Sequence, residues 1–341
     1  MRISVARGRL SWCLRAVLAL TFLAATAAPA YARPVHATTF GYVGSADMRV
    51  TGTQQPARAG FGLFVPGVPS DLSQLNKLTT QLGRRPSTVM WYQQWAGAAS
   101  FPAGAASNVV AIGATPEITW EPWAAGKGVN QPAYSLAAIA SGRYDSYIRT
   151  WATQIMAWGH PIRLRFAHEM NGNWYPWAEG VNGNQAGSYI EAWRHVHSIF
   201  ASVGVSNVIW VWSPNAVYPG TRPLPGLYPG DAYVDETALD GYNWSTLGKG
   251  TQWVSFQHIF GPSITQVKSI TSKPLAIGEV GCAPVGGNKA AWITAMFATV
   301  AATPAITGFT WFNQNKEADW RIESSAASLT SFKQGLIGYT S

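Results

Sequence analysis

The chain has 341 residues and a net charge of +8, with only 12% of its residues charged and 17 tryptophans. Its basic residues are scattered rather than gathered into a stripe, which argues against a nucleic-acid-binding face, and its two cysteines cannot frame a disulfide-dense scaffold. The length suffices for one large core, and so many tryptophans in a weakly charged chain favour a carbohydrate-facing surface.

Residues 1–32 read as a secretory signal peptide. Arg2, Arg7, Arg9 and Arg15 form a basic n-region, Ala16 to Ala27 is an apolar run too short to span a bilayer, and Ala30-Tyr31-Ala32 fits a small-residue cleavage site. The expected mature protein is secreted and extracellular. Cleavage removes four arginines and no acid, so the charge falls from +8 to +4, and Cys282 remains as the single cysteine. Residues 33–60 lack periodicity and read as a leader or linker, with one short strand expected at Thr39 to Val43.

From Phe61 onward, apolar strand-like runs alternate with helical spacing. The strands are Phe61 to Val65, Thr88 to Tyr92, Glu117 to Trp120, Ile162 to Phe166, Val208 to Trp212, Leu239 to Tyr242, Leu275 to Ile277 and Ile306 to Phe312. Helices are expected over Asp71 to Leu82, Ala103 to Ile112, Tyr144 to Trp158, Gln185 to Ser202, Phe256 to Ile270, Lys289 to Val300 and Ser325 to Leu336. After the fifth strand, Tyr218 to Asp235 is rich in Pro and Gly and reads as a long loop. Eight such units in one stretch, 61–341, give a single α/β domain of the (β/α)8 barrel type. The alternative, a doubly wound open sheet, lacks a GxGxxG after its first strand.

In such a barrel, functional groups sit at the C-terminal ends of the strands. Those ends collect Trp91-Tyr92-Gln93-Gln94-Trp95, Trp120-Glu121, His168-Glu169, Ser213 and Asn215, Asp240 with Tyr242-Asn243-Trp244, Glu279, and Trp311 with Asn313. The fourth strand reads RLRF, an apolar and basic alternation expected of a half-buried strand, and runs into HEMNGNWYPW. A core would not mix His, Glu and two Asn with three large aromatics, whereas a sugar cleft stacks rings on pyranose faces and hydrogen-bonds the hydroxyls. Glu169 and Glu279 each directly follow an apolar run, and two carboxylates across a barrel mouth can flank a glycosidic bond. A single such Glu would read as a rim salt bridge; the pair, set among Trp and Asn, reads as catalytic.

RLRFAHEMNGNWYPW at 163–177, DGYNWS at 240–245, PLAIGEVG at 274–281 and FTWFNQNKEADWRI at 309–322 together resemble glycoside hydrolase family 26. The resemblance implies a retaining (β/α)8 glycosidase, with Glu169 as acid/base and Glu279 as nucleophile. It also implies that Arg165, His168, Trp174, Asp240, Tyr242 and Trp311 hold the reacting sugar, with Tyr242 hydrogen-bonded to the nucleophile. The family suggests endo-action on β-1,4-mannan. The Asn173-Trp174-Tyr175-Pro176-Trp177 run resembles members acting on mixed-linkage β-glucan, and β-1,3-xylan or a non-catalytic carbohydrate-binding barrel are further alternatives. For this mechanism Glu169 should have a raised pKa, from the charge on Glu279 and the surrounding aromatics, while Glu279 stays ionised.

Other motifs point elsewhere only weakly. His168-Glu169 begins like HExxH, but Gly172 occupies the second ligand position. His195 and His197 lie on an expected helix, Cys282 reads as a small buried residue, and no Gly-x-Ser-x-Gly elbow is present. Neither cofactor nor metal is expected. The partner is a polysaccharide substrate, with no nucleic acid, no stable membrane association and a monomeric chain.

Overall fold

The computed structural model describes residues 60–339 apart from Lys249, so the expected signal peptide, the leader up to residue 59 and its short strand at Thr39 to Val43 lie outside the described residues, while Gly60, expected in the leader, opens the first strand. Eight parallel strands close into a barrel in sequence order: β1 Gly60–Phe64, β2 Thr88–Gln94, β3 Thr115–Glu121, β4 Ile162–Phe166, β5 Val208–Trp212, β6 Glu236–Asn243, β7 Leu275–Cys282 and β8 Ile306–Phe312. Closure is made by β1 against β8 over five residue pairs, from Gly60 beside Gly308 to Phe64 beside Phe312.

The outer helices are α1 Ser73–Leu82, α2 Ala103–Ala111, α3 Leu136–Ala140, α4 Asp145–Trp158, α5 Ser188–Val203, α6 Phe256–Ile270, α7 Lys289–Ala302 and α8 Ala326–Gly338. Their starts and stops follow from local chemistry. The Ser255, Asn288 and Ser325 side chains accept from the backbone N–H of His258, Ala291 and Ser328, satisfying donors at the first turns of α6, α7 and α8. Gly83 and Gly159 close α1 and α4 at φ 72° and 77°, a left-handed conformation that costs a glycine nothing. After β5 the Pro- and Gly-rich stretch forms a short 3-10 turn at Leu224–Leu227 instead of a helix. Three side chains tie this segment down: Trp212 Nε1 donates to Leu227 O at 3.1 Å, Trp193 Nε1 to Tyr233 O at 3.0 Å and Arg194 Nε to Pro229 O at 2.8 Å.

Two expectations are corrected here. The tryptophans are not chiefly a surface feature: Trp120, Trp151, Trp193, Trp212 and Trp311 are fully buried and belong to the main apolar core. Their large rings fill the layer between barrel and helices, where burial of aromatic surface is most stabilising. The β4 strand is not half-buried, because every residue of IRLRF is buried. Arg163 and Arg165 point into the barrel, where Arg163 Nε meets Glu117 Oε2 at 3.1 Å and Arg163 also pairs with Glu236. The alternation is therefore one of apolar core against a buried ionic interior, and the charges are tolerated because they are paired.

Candidate active site

The end of β4 turns sharply. Ala167 and Glu169 both take positive φ, 48° and 52°, an uncommon conformation for residues with a side chain. Neighbouring strands hold the turn: Ala167 N–H donates to Trp120 O at 3.1 Å and Glu169 N–H to Ser213 O at 2.7 Å. Trp177 Nε1 donates to His168 O at 2.6 Å from the far side. The result aims His168 and Glu169 at the barrel axis, with both side chains buried.

The opposite wall needs a different device. Along β7 the ordinary alternation would send Glu279 outward, beside the outward Ile277. The register with β6 shifts instead, from Leu239 beside Ile277 to Asp240 beside Glu279, so Gly278 is an extra, bulged residue and Glu279 turns inward. Only glycine fits there. A Cβ on Gly278 would fall 2.6 Å from Asp240 Oδ1, 2.7 Å from Arg165 Nη1 and 2.8 Å from Ser213 Oγ.

These walls meet in one hydrogen-bonded network. Arg165, wholly buried, donates from Nη1 to Asp240 Oδ1 at 3.1 Å and from Nη2 to Glu279 Oε1. Tyr242 donates its hydroxyl to Glu279 Oε2, and Ser213 donates to Asp240 Oδ1 at 2.9 Å. His168 Nδ1 lies 3.1 Å from Asp240 Oδ2 and 3.5 Å from Glu279 Oε1, and its Nε2 lies 3.4 Å from Glu121 Oε1. The Trp174 indole donates to Glu169 Oε2 at 2.8 Å. Its ring sits where a side chain on residue 172 would be, since a Cβ on Gly172 would come 2.4 Å from it.

The two glutamates are driven apart in acidity. Burial lifts Glu169 to about 8; the His168 charge opposes this, while the Asp240 and Glu279 charges add to it and the Trp174 hydrogen bond opposes it. Loss of water thus ranks first, and Asp240 ranks ahead of Glu279 as the charge responsible. Burial also pushes Glu279 upward, but the Arg165 and His168 charges and the Tyr242 and Arg165 hydrogen bonds outweigh it and hold the carboxyl below its usual range. Burial lowers the basicity of His168, yet its contacts with Asp240 and Glu121 prevail and raise it to about 10. An imidazolium donates from both nitrogens, which suits carboxylates on either side and makes the 3.1 Å approach of Arg165 Nη2 to Nδ1 a donor–donor contact rather than a hydrogen bond. These opposite shifts favour a protonated Glu169 beside an ionised Glu279 near neutral pH.

Of the residues singled out from the sequence, Arg165, His168, Glu169, Trp174, Asp240, Tyr242 and Glu279 come together here. Trp311 does not. Its ring packs against Trp292 of α7 and Phe332 of α8, with Nε1 on Trp320 O at 2.9 Å, outside the barrel wall. The alternation of β8 explains this: Phe312, its neighbour, is the residue that faces the mouth, against Phe64, Tyr92 and Tyr242. Trp320 also packs on Tyr242 and Trp244. Glu121 and Ser213 stood at strand ends in the sequence without an assigned role; their contacts with His168 and Asp240 supply one. Gly278 carried a legible signal, since a lone glycine within a strand pattern marks a bulge.

His168, Glu169 and Asp240 also bring ligand atoms within 4.8 Å of one another. The Arg165 guanidinium already occupies Asp240, so the cluster is built around a fixed cation of the protein itself. Cys282, further along β7, is wholly buried, accepts from Asn243 Nδ2 at 3.3 Å and is pushed up to about 12 by burial.

A family model described as Glycosyl hydrolase family 26 matches residues 114–295. Endoglucanase H of Acetivibrio thermocellus is 38% identical over 283 residues, covering 81% of this chain and 30% of that protein. Mannan endo-1,4-beta-mannosidase A and B of Caldalkalibacillus mannanilyticus is 42% identical over 90 residues, covering 25% of this chain and 17% of that protein. The chain therefore spans less than a third of the length of either relative. Among solved structures, a GH26 beta-mannanase from Bacteroides ovatus aligns with a TM-score of 0.61 at 16% identity, over 82% of this chain and 88% of that one, and shares the fold.

Proposed function

The chain belongs to glycosyl hydrolase family 26, and we propose that it is a secreted retaining endo-β-glycanase. The observation that carries this reading is the placing of two buried glutamates at the ends of β4 and β7, Glu279 held by Arg165 and Tyr242 and Glu169 by the Trp174 indole; burial raises the Glu169 pKa while the Arg165 and His168 charges lower that of Glu279. Glu169, protonated, gives its proton to the glycosidic oxygen as the bond to the anomeric carbon breaks. Glu279 attacks that carbon with a carboxylate oxygen and forms a glycosyl-enzyme ester. Esterification removes the Glu279 charge, so one of the charges that raise the Glu169 pKa disappears. Glu169, now ionised, takes a proton from water, whose oxygen displaces Glu279 and regenerates both groups. Arg165 and Tyr242 hold the nucleophile ionised and oriented, and His168 and Asp240 hold Arg165 and Glu279 in register. Export rests on the basic, apolar and small-residue order of the first 32 residues.

For the polymer, a β-glucan is the reading favoured by the likeness to Endoglucanase H, which extends over 81% of the chain. It agrees with the Asn173-Trp174-Tyr175-Pro176-Trp177 run, which resembles members acting on mixed-linkage β-glucan. β-1,4-Mannan is the second reading, supported by the family motifs and the mannanase relatives. Reducing-sugar release from purified mixed-linkage β-glucan, β-1,4-mannan and β-1,3-xylan decides between them. Proton NMR of the first-formed product should show retained anomeric configuration; an inverted product would overturn the mechanism.

A further inference from the structure

Asn171, two residues beyond Glu169, is wholly buried and belongs by its side chain to a different loop. Its Nδ2 donates to Asn215 O at 2.8 Å, and its Oδ1 accepts from Asn215 N–H at 2.8 Å. Its own carbonyl accepts from Arg222 N–H at 2.8 Å. The segment leaving β5 is thus pinned at both ends, 215 and 222, to the turn that carries Glu169. Arg222 is fixed further by Nε on Glu179 O at 2.6 Å, and Val217 N–H by Ser263 Oγ of α6 at 2.8 Å. At the tip, Thr221 closes a turn on Tyr218, its hydroxyl on Tyr218 O at 2.9 Å.

Tyr218 is 50% exposed on this tip. Every other Trp, Tyr and Phe among the described residues is at least partly buried, so this ring is the one the fold leaves open. A single exposed ring is unremarkable by itself. Its setting is what matters: the loop is rigid at its base, and the base is the Glu169 turn. Partial burial, and after it the Glu169 charge, raise the pKa of the Tyr218 hydroxyl. An acid that protonates the glycosidic oxygen must lie within hydrogen-bond reach of it, on the side where the leaving sugar departs.

We propose that Tyr218 is a stacking platform for the leaving-group portion of the glycan, set beside Glu169 by the Asn171 clamp. The proposal rests on Glu169 acting as the acid. The ligand is a pyranose unit presenting an apolar face to the ring, bound by stacking rather than by the phenol hydroxyl. Tyr218 then governs how tightly polymer and acceptor sugars are held after the nucleophile's ester has formed, and so the balance between hydrolysis and transfer to another sugar.

The test compares kcat/KM on the polysaccharide with kcat/KM on a disaccharyl fluoride, whose leaving group is one atom and cannot reach the ring. In Tyr218→Ala the ratio of polymer to fluoride should fall about tenfold, the size of one lost aromatic stack, and Tyr218→Phe should keep the wild-type ratio. An unchanged ratio in Tyr218→Ala overturns the platform, as does a ratio that falls equally in Tyr218→Phe, which would assign the effect to the hydroxyl. Wild-type protein that turns over neither the fluoride nor any β-glycan removes the glycosidase reading and this proposal with it. Wild-type turnover of both, with an unmoved ratio in the variants, removes the proposal alone.

Discussion

Glu169 is costly to keep. Its carboxyl ordinarily titrates near 4.5 and in the fold is raised to about 8, chiefly because burial disfavours its charge. The folded state therefore holds this proton more tightly than the unfolded chain does. The stability tied to the proton is fully present below about 4.5 and is lost as pH rises through the folded value near 8. Glu169→Gln cannot ionise and escapes that loss. Its thermal midpoint should exceed the wild type's by a margin that grows from pH 4.5 to 8 and then levels off, while activity on the polymer collapses. Scanning calorimetry across that range checks the sign; a margin that shrinks with pH would contradict it. The left-handed backbone at Glu169 and Ala167 adds a second local cost, offset by the hydrogen bonds from Trp177 and Tyr189 into the same turn.

Single strands decide where side chains land, and here the sequence was informative unevenly. Runs bounded by loop chemistry were legible to the residue: Ile162–Phe166, Val208–Trp212 and Ile306–Phe312 form over the spans their apolar periodicity predicts. β7 is longer than its apolar run, because Gly278 and Glu279 break the pattern while the backbone ladder continues to Cys282. Membership of a strand end also leaves the facing undetermined. A shift of one residue exchanges inside for outside, which is why Trp311 lies in the helix layer and Phe312 at the mouth. The expected consequence is that Trp311 serves stability. Trp311→Ala should cost about 3–5 kcal/mol in urea unfolding. The milder Trp311→Phe should retain kcat/KM on the polymer to within about twofold, a limit of roughly 0.4 kcal/mol in transition-state binding. A folded Trp311→Phe enzyme with a tenfold loss would return Trp311 to the substrate.

The two ends of the described chain are tied to each other beside the start of β1. Arg84, just before β2, donates to Leu336 O at 2.7 Å and to Tyr339 O, capping the carbonyl end of α8 with a cation. Tyr339 in turn donates to Gly60 O at the start of β1, at 3.2 Å. These contacts link the first and last units through a residue of the loop between α1 and β2. Arg84→Ala should lower unfolding free energy by about 1.5–3 kcal/mol, the range for hydrogen bonds to a charged group, without shifting kcat/KM under native conditions. Urea titration and polymer kinetics on one preparation test both halves. The eightfold count and the placing of Glu169 and Glu279 at the ends of the fourth and seventh strands were legible in the sequence. The Tyr242 contact with Glu279 was implied by the family resemblance, and the Arg165 contact with Glu279 was not foreseen. The ionic interior was not legible either, because charge alternation within a strand reads the same whether its charges face water or each other.

Cys282 gives this barrel a clock. Its thiol sits three residues past Glu279 on β7, sealed from solvent and held in the unreactive protonated form. A maleimide can modify it only in molecules whose seventh strand has come open. The labelling rate of the Cys282 peptide, followed by mass spectrometry, therefore times an excursion that leaves the rest of the chain spectroscopically silent. Glycan bound across the cleft should slow that clock in proportion to how far occupancy depends on a closed seventh strand.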